Sequence, residues 1–568
     1  MPTFFDTPDS PHWIEEQQSV NGGFVDNTEL HLLRPDQAGR LLNIDPTIAG
    51  RVQKRLGPES IGSPGPTNPN GLFPFESDLH NLHLLFGQWG SKLFSSPGDD
   101  LWSPRATTVS LIDTVYMASQ GRGNSALPSL FLSSCVADTA NVSLPWGRLV
   151  CIDSGFGVTE TAIRCRATTW FQDRLWGLNF CATNVSGKLG ADLLGWSAPL
   201  DGRNFDNGQT VGIDSSAGDA GVALLPMRDG TPRMMIFKEN SVHQLDIYWA
   251  TDGYFPLTAN ALDFTKSLLR PITYQAGAMA TRAVIWAPSQ NSDVLFLSRD
   301  GIRALPRGLT DAQAPLGLPL SFPIQQTIDR INWAQAHRST AIYWDNVAYF
   351  AVPVDGSDRN NLVIAYDSAR GGAWYELDFQ VAAWSTIKFN NERNLFFQAA
   401  SSVTETGLGA LGSGVTHGYH VYQVDVGNND PAGRPIQFDY QTRAYTFDQG
   451  QQPGAGLRHR KKWNYLDLAV QAAATAATLT ISYKVDDDDS WSALRYLYVD
   501  PQDAYPFLPV QLPFSFSQGR VIHRDLLLRD IRPGFKIQFR IQDESSFARL
   551  RIVSLTLYAN PLNPKFRA

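Results

Sequence analysis

Short apolar stretches separated by turn residues recur along most of this chain. Three of the clearest are FKENSVHQLDIYW (residues 237–249), DVLFLSRDGIRAL (293–305) and NLVIAYDSARGGAWYEL (361–377). In each, β-branched and aromatic residues flank Asn, Asp and Gly, a pattern typical of antiparallel strands joined by tight hairpins. Because such units recur at intervals of several tens of residues without helical stretches between them, the sequence predicts an all-β protein built on a β-propeller.

Composition divides the chain into three regions. Residues 1–78 are rich in Pro, Gly and Asn with only short apolar runs, which predicts an extended N-terminal arm over a larger body. Residues 79–430 hold the strand and turn units and are predicted to form the propeller. Residues 431–568 contain alternating stretches such as TLTISYKV and FKIQFRIQDE, which predict a C-terminal β-sandwich.

Two segments carry more local predictions. Residues 318–340 place Ile324, Ile328 and Ile331 at helical spacing, which predicts a short helix in a connection between blades. The segment QAAATAATL (471–479) is rich in alanine, but its Thr residues and its position between strands favour a hairpin loop.

Composition and charge narrow the class of protein. The chain has 568 residues and an aromatic content of 11%, which is too high for a disordered protein. Its formal net charge of −8 argues against a surface that neutralises nucleic-acid phosphates, because such a surface needs clustered Lys and Arg. That charge does not exclude DNA passing by the protein. The first residues lack the features of a signal peptide, and no stretch approaches about 18 apolar residues, so we expect synthesis in a cytoplasm and no stable membrane insertion.

The four cysteines, Cys135, Cys151, Cys165 and Cys181, are widely spaced and form no C-x-x-C pair. This spacing argues against a zinc site. Two interpretations stay open, namely small buried side chains on neighbouring strands, which we favour, and disulfides.

Two other groups of side chains are candidates for metal binding. His80 and His83 lie three residues apart, but no other His or Cys is near them in sequence, so hydrogen bonding is the favoured interpretation. Four aspartates follow one another in the C-terminal region: Asp486, Asp487, Asp488 and Asp489. Carboxylates are suitable Ca²⁺ ligands, but side chains of an extended segment alternate between faces, so a solvated hairpin tip is favoured over a cation site.

The sequence lacks the common catalytic motifs. It contains no G-x-S-x-G, no H-E-x-x-H, no G-x-x-x-x-G-K-[ST], and no G-x-G-x-x-G that follows a strand and opens a helix. Carboxylates are plentiful, but glycoside hydrolysis requires a particular pair at one site. We therefore predict that the protein is not an enzyme and has no catalytic residues, cofactor or metal site.

One dense basic run occurs at the junction between the predicted propeller and the C-terminal region. It consists of Arg458, His459, Arg460, Lys461 and Lys462. A solvated loop, a contact with another subunit and a contact with nucleic acid remain open. Of these residues, we take Arg458, Arg460, Lys461 and Lys462 as candidates for subunit contact.

A series of landmarks gives the chain a resemblance to a known family. The stretch 21–59 contains Gly22-Gly23, then Arg34-Pro35, Asn43-Ile44-Asp45 and Arg55-Leu56-Gly57. Six further landmarks follow in order: DRLWGLN (173–179), WSAPLDGRNF (196–205), MMIFKENSVHQL (234–245), VLFLSRDGIRAL (294–305), IAYDSARGGAW (364–374) and YQTRAYTF (440–447). In this order they resemble the tail nozzle family, or tail tubular protein B, of short-tailed bacteriophages.

The resemblance implies a structural virion protein, made in the bacterial host cytoplasm and located in the tail. It implies a β-propeller subunit assembled as a ring, commonly a homohexamer, below the portal and adaptor. The central channel would conduct the phage DNA without sequence-specific binding, and the ring would carry tail fibres or tailspikes and meet a terminal knob or needle. The extended N-terminal arm can then lie across a neighbouring subunit.

Two alternatives from other classes remain. One is a phage receptor-binding or glycan-binding propeller, which would more often be trimeric. The other is a secreted glycoside hydrolase or lyase. Ring formation distinguishes the nozzle from both.

Overall fold

The computed structural model describes residues 13–17, 19–48, 51–62, 68–77, 81–106, 117–122, 128–133, 149–160, 163–180, 190–205, 210–214, 218–227, 232–250, 262–288, 292–306, 317–368, 372–389, 391–401, 403–405, 415–417, 419–427, 429–431, 434–447, 455–473, 477–499, 521–543 and 549–562. As the sequence predicts, the protein is all-β.

Most strands between residues 69 and 427 form a succession of small antiparallel sheets. The first sheet contains β5 (Pro69–Ser77), β6 (Leu82–Trp89), β7 (Lys92–Ser96) and β8 (Ser103–Ala106). The second contains β9 (Met117–Arg122), β10 (Pro128–Ser133), β11 (Val150–Asp153) and β12 (Val158–Glu160). The third contains β13 (Cys165–Phe171), β14 (Arg174–Phe180), β15 (Gly190–Trp196) and β16 (Thr210–Gly212). The fourth contains β17 (Gly221–Pro226), β18 (Arg233–Lys238), β19 (Val242–Asp246) and β20 (Leu269–Thr273).

Three further sheets continue the series. The fifth contains β21 (Val284–Trp286), β22 (Ser292–Ser298) and β23 (Gly301–Pro306). The sixth meander contains β24 (Thr340–Trp344), β25 (Val347–Val352), β26 (Leu362–Asp367) and β27 (Ala373–Leu377). The seventh contains β28 (Val381–Phe389), β29 (Glu392–Ala399), β32 (Val421–Gly427) and, from far upstream, β4 (Gly57–Ser60). A separate hairpin joins β30 (Val403–Glu405) to β31 (Val415–His417).

Tight turns explain why these segments form hairpins. Gln172 and Asp173 both have positive φ between β13 and β14, as do Asp345 and Asn346 between β24 and β25. Two successive residues with positive φ are characteristic of the type I′ turn, whose twist matches that of the strands it joins. Asn and Asp tolerate this conformation better than most residues, so their presence in the sequence favours a tight turn at these positions.

Each small sheet packs against the next one in the chain. Phe75 of the first sheet shares a core with Leu130 of the second, and Trp176 of the third shares another with Ile236 of the fourth. The seventh sheet returns to the first, because Phe396 shares a core with residues of β5 and β6. Strands such as β14, β25 and β27 are buried along their whole length because their sheets are covered on both faces.

Strands from both ends of the chain form two more sheets. One contains β2 (Ala38–Leu42), β33 (Phe438–Thr442), β38 (Ile537–Asp543), β35 (Ala477–Val485) and β36 (Ser492–Val499), and it joins the sixth meander where β2 runs parallel to β27. The other contains β1 (Trp13–Gln17), β39 (Arg549–Pro561), β34 (Lys461–Ala473), β37 (Ile522–Leu527) and β3 (Val52–Gln53). Trp463 of the second and Phe539 of the first are fully buried in one shared core.

The strands of the predicted N-terminal arm therefore pair with later strands of the same chain. Its strands β1 and β3 pair with β39, β2 pairs with β33, and β4 pairs with β32. How the arm relates to a neighbouring subunit, and the predicted boundaries at 78 and 430, stay predictions.

The two local predictions have different outcomes. The helix is confirmed as α1 (Gln325–Asp329), with 3₁₀ turns at Phe322–Ile324 and Ala336–Arg338, and Ile324, Ile328 and Ile331 are buried. Another 3₁₀ turn lies at Ala455–Arg458. The hairpin loop at 471–479 is wrong, because β34 extends to Ala473, β35 begins at Ala477, and the two strands belong to different sheets. Both strands extend into the alanine-rich segment. Because they lie in different sheets, the chain crosses from one sheet to the other between them instead of turning back.

Candidate functional site

A polar cavity of about 130 Å³ lies where four of the small sheets meet. The polar side chains that line it are Asn68, Asn70, Arg282, Arg338, Arg359 and Asn360. They come from segments next to the first, fifth and sixth sheets, and alanines next to the seventh complete the wall. The cavity is therefore a product of the tertiary arrangement of the sheets.

The topology explains why these side chains meet. Arg282 and Arg338 shortly precede β21 and β24, which are the first strands of their sheets, and Asn68 directly precedes β5. First strands of neighbouring sheets lie side by side, including β21 with β24, β24 with β28 and β28 with β5. A bridge between Arg282 and Thr340 aligns the backbones of the fifth and sixth sheets at this point. The strand beginnings therefore gather at one end of the sheet assembly.

Neutral acceptors hold Arg359 in place. Its Nη1 donates to the backbone oxygen of Ala400 at 2.6 Å and to the hydroxyl of Tyr419 at 3.2 Å, and its Nη2 donates to Oδ1 of Asn68 at 3.2 Å. The guanidinium also lies 5.4 Å from the centroid of the Tyr419 ring. These contacts orient the group without cancelling its charge, since none of the acceptors is a carboxylate.

Asn360 is oriented by two backbone carbonyls. Its Nδ2 donates to the oxygen of Arg338 at 3.0 Å and to that of Val381 at 2.8 Å, and the residue is only 3% exposed. The Oδ1 atom therefore points away from both carbonyls, and it has no hydrogen-bond partner among the described residues. The Nε atom of Arg338 is likewise buried without a partner in the described part of the chain. Both atoms have almost no accessible surface, so they are unsatisfied polar groups behind the cavity wall and a molecule in the cavity does not contact them.

The charge of the cavity is opposite to that of the whole protein. Three arginines line it, and none of the described lining residues is acidic, although the net charge of the chain is −8. Guanidinium groups present forked donors that suit carboxylate and phosphate oxygens. The arrangement can bind a small anion, and it offers no nucleophile or general base within the described lining.

The predicted basic run does not form part of this cavity. Lys461 is fully buried, and its Nζ donates to the carbonyl oxygens of Gly456, His459 and Phe535 at 2.7, 3.0 and 2.6 Å. The side chains that remain exposed and able to meet another subunit are those of Arg458, Arg460 and Lys462. Their role in a subunit contact stays a prediction.

The four aspartates form a turn between β35 and β36 and make different contacts. Asp486 has a positive φ, and its Oδ1 accepts from the backbone amides of Phe535 and Lys536. Asp487 pairs with Lys536 at 2.8 Å, and the hydrogen bond from that lysine lowers the pKa of Asp487.

Asp488 pairs with Arg532 at 2.6 Å, whereas Asp489 is contacted through its backbone oxygen by Lys484. The run is therefore an ion-paired tip fastened to residues 532–536. Among the described residues no three His, Cys, Asp or Glu side chains gather in a way that could hold a metal ion.

Two of the four cysteines can be placed. Cys151 and Cys165 are free thiols, and both lie buried in the core between the second and third sheets. Burial raises the pKa of Cys165 to about 12, so the thiol stays protonated at neutral pH. The interpretation as buried apolar side chains is confirmed for these two. Cys135, Cys181 and His80 lie outside the described residues.

None of the helices in the described part of the chain has the length and apolar character that crossing a bilayer requires.

No protein-family model matches the sequence, and no curated protein matches it. Among solved structures, an exo-β-1,3-galactanase from Phanerochaete chrysosporium with β-1,3-galactotriose is similar over 89% of this chain and 100% of its own, at 11% identity and a TM-score of 0.25. BBS1N in complex with ARL6DN is similar over 46% of this chain and 68% of its own, at 10% identity and a TM-score of 0.24. At TM-scores this low, neither likeness indicates what this protein does.

Proposed function

We propose that this protein is a structural virion protein that forms the tail nozzle ring of a short-tailed bacteriophage. The observation that supports the proposal is where the family landmarks fall in the fold. The landmark at 234–245 is the β18–β19 hairpin, that at 294–305 is the β22–β23 hairpin, and that at 364–374 spans β26 and β27. These three landmarks thus coincide with hairpins of three consecutive sheets, formed by the second and third strands in the fourth and fifth sheets and by the third and fourth strands in the sixth, as expected if they mark repeated units of one architecture.

The same proposal interprets the seven small sheets as blades of a β-propeller and the two terminal sheets as a β-sandwich. Consecutive sheets pack on one another, and contacts between the seventh and first sheets support closure of the ring. Gln398 of β29 donates to the backbone oxygen of Gln88 at 3.1 Å, and Arg393 pairs with Glu76 at 2.7 Å. The pairing of β4 with β32 adds an upstream strand to the last blade, which resists opening of the circle.

A closed propeller suits a non-enzymatic role in a tube that withstands genome passage. Radial packing leaves only short strand edges, so the subunit is a rigid block with few surfaces for unwanted strand pairing. In this proposal six copies surround the DNA channel below the adaptor, and the outside carries fibres or tailspikes. The protein acts in the virion tail after synthesis in the host cytoplasm.

Assembly state tests the proposal directly. The full chain is expressed alone and together with the adaptor protein of the same phage, and both samples are analysed by negative-stain electron microscopy and mass measurement. We expect a hollow ring, formed by the chain alone or on the adaptor. Monomers or compact trimers under both conditions would contradict the nozzle role.

The arginine-lined cavity favours a second candidate, a receptor-binding propeller that recognises an anionic group on a host surface glycan. Such sites are concave and hold a few convergent polar groups. A trimer that binds acidic glycans on an array and forms no ring would support this function instead.

A further inference from the structure

We propose that the outer face of the sheet formed by β1, β39, β34 and β37 is a contact between two copies of this chain. The inner face of this sheet lies in the core shared by the two terminal sheets, where Leu466 and Leu557 are buried. Because successive side chains of a strand alternate between faces, their neighbours Tyr465 and Tyr558 point outward. The inference goes beyond the proposed function, since a contact between two identical faces is separate from the head-to-tail contacts that close a ring.

Four apolar side chains form one row across this outer face. Ile14 of β1 lies opposite Tyr558 of β39. Tyr465 of β34 lies between Tyr558 and Leu527 of β37, directly opposite each of them, and the two tyrosine rings stack with their centroids 4.1 Å apart. Ile14 is 59% exposed and Leu527 is 65% exposed. Single exposed apolar side chains are common, whereas a continuous row of them is typical of a surface that contacts another molecule.

Charged side chains flank the apolar row, with opposite signs on its two sides. Two residues along the strands in one direction, Asp467 lies opposite Asp525, and the exposed Glu16 extends the same acidic row on β1. In the other direction the exposed Lys462 lies opposite Asn560. Within the described part of the chain, Lys462, Glu16 and Asp525 form no ion pair. These charges are therefore available to a second molecule.

The order of the rows makes the face complementary to itself. A two-fold axis along the apolar row places that row on the same row of a second copy and exchanges the two charged sides, so Lys462 of each copy meets Asp467 of the other. Both charged rows lie about 7 Å from the apolar row, because two residues of an antiparallel strand span about 6.8 Å. A two-fold axis parallel to the strands would instead bring the acidic rows together, which is unfavourable.

The area of the face sets the strength of the contact. Four strands at a spacing of about 4.8 Å and three rows at about 7 Å give roughly 400 Å² of sheet surface per copy. This is about half of the roughly 800 Å² per partner that stable complexes bury. We therefore expect reversible pairing with a dissociation constant in the micromolar range.

Sedimentation velocity of the full chain between about 1 and 100 µM tests the contact. At the highest concentration we expect twice the mass of the Leu527→Asp protein, because Leu527 lies on the axis and the substitution sets two carboxylates against each other. Leu101→Asp is the matched control, since Leu101 is 67% exposed but lies between β7 and β8, and this variant should pair like the natural protein. If the sedimenting unit is a ring, the same comparison still shows whether two units pair.

A charge exchange tests the direction of the axis. Lys462→Glu alone and Asp467→Lys alone should each weaken pairing about tenfold, because each brings like charges together, and the double variant should restore it. Asp467 also contacts His523 at 3.3 Å, but the His523 side chain is 63% exposed, so loss of that contact should leave the fold intact. Circular dichroism of each variant checks the fold.

Three outcomes contradict the proposal. A chain whose mass does not double with concentration up to about 100 µM would assign this face to a different partner. Equal effects of Leu527→Asp and Leu101→Asp on the mass would show that the apolar row is not the contact. A folded double variant that pairs no better than either single variant would rule out the two-fold arrangement.

Discussion

Replacing Lys54 with methionine should strongly destabilise the C-terminal sheets. Lys54 follows β3, and its Nζ lies 2.9 Å from Oδ2 of Asp543 at the end of β38. The lysine side chain is 2% exposed and the aspartate side chain is fully buried. The substitution keeps much of the side-chain volume but leaves the carboxylate of Asp543 buried without this partner.

The expected loss in the free energy of unfolding follows from the burial of this ion pair. Removing one member of a buried ion pair costs about 3–5 kcal/mol, because the remaining charge stays out of water and has lost its counter-charge. Desolvation is already the largest influence on Lys54, since burial lowers the pKa of this lysine although the charge of Asp543 acts to raise it. Replacing both members, as in Lys54→Met with Asp543→Leu, should therefore recover most of the loss.

Urea unfolding followed by tryptophan fluorescence measures these changes, and Trp463 is a buried probe within the affected core. Lys266→Met is the matched control, because Lys266 is 69% exposed and lies 3.6 Å from Asp263, so its loss should cost no more than about 1 kcal/mol. A Lys54→Met protein within about 1 kcal/mol of the natural one, or a double variant no more stable than the single, would refute the reasoning.

Three other expectations concern strand β4, a buried carboxylate and the thiols. Gly57→Ala should cost about 1–3 kcal/mol in urea unfolding, because its Cβ would press on the backbone of Asn429, whereas Gly356→Asn, in open space at a positive φ, should cost much less. Burial acts to raise the pKa of Asp219, but hydrogen bonds to its carboxylate, including one from Lys238 at 2.6 Å, lower that pKa. The contribution of this carboxylate to stability should therefore be lost as pH falls through its folded pKa. The free energy of unfolding of the Asp219→Asn protein should accordingly fall less steeply below about pH 3.9 than that of the natural protein. With Cys135 and Cys181 replaced by Ser, the two remaining thiols should react with a disulfide reagent only after unfolding; fast reaction of the native protein would contradict their burial.

Local signals made the sheets predictable. The hairpin at 294–305 depends on apolar strands around Arg299, Asp300 and Gly301, and all of this information lies within one short stretch. The helix near Ile328 was predictable for the same reason, since its apolar spacing is local. Pairings between distant segments were not, because a strand such as β4 carries no mark of its partner β32, which lies more than 350 residues away.

The segment around Ala473 shows a second limit of predicting the fold from the sequence. Its strand alternation was readable, but whether the chain turns back or crosses to a second sheet depends on which face must be buried.

The cavity was beyond sequence analysis for a related reason. Arg282, Arg338 and Arg359 are separated by more than 20 residues each, so they form no basic run, and Asn68 comes from another part of the chain altogether. In the basic run that the sequence did display, one of the two lysines, Lys461, donates to carbonyl oxygens in the interior. Basic residues that are close in sequence are therefore not the ones that gather in space. The hydrogen-bond partners of Asn360 likewise depend on the tertiary structure and could not be predicted from the sequence.

The stretch from Val52 to Ser60 ties the two parts of the molecule together. Val52 and Gln53 pair with β39, Lys54 pairs with Asp543 of β38, and Gly57–Ser60 pairs with β32 in the seventh sheet. Between them Arg55 pairs with Asp378 at 2.6 Å and lies 4.0 Å from the centroid of the Phe379 ring, just before β28. Nine consecutive residues thus bond to the terminal sheets at one end and to the last small sheet at the other. Because one short segment is bonded to both parts, the terminal sheets and the series of small sheets should unfold as coupled units.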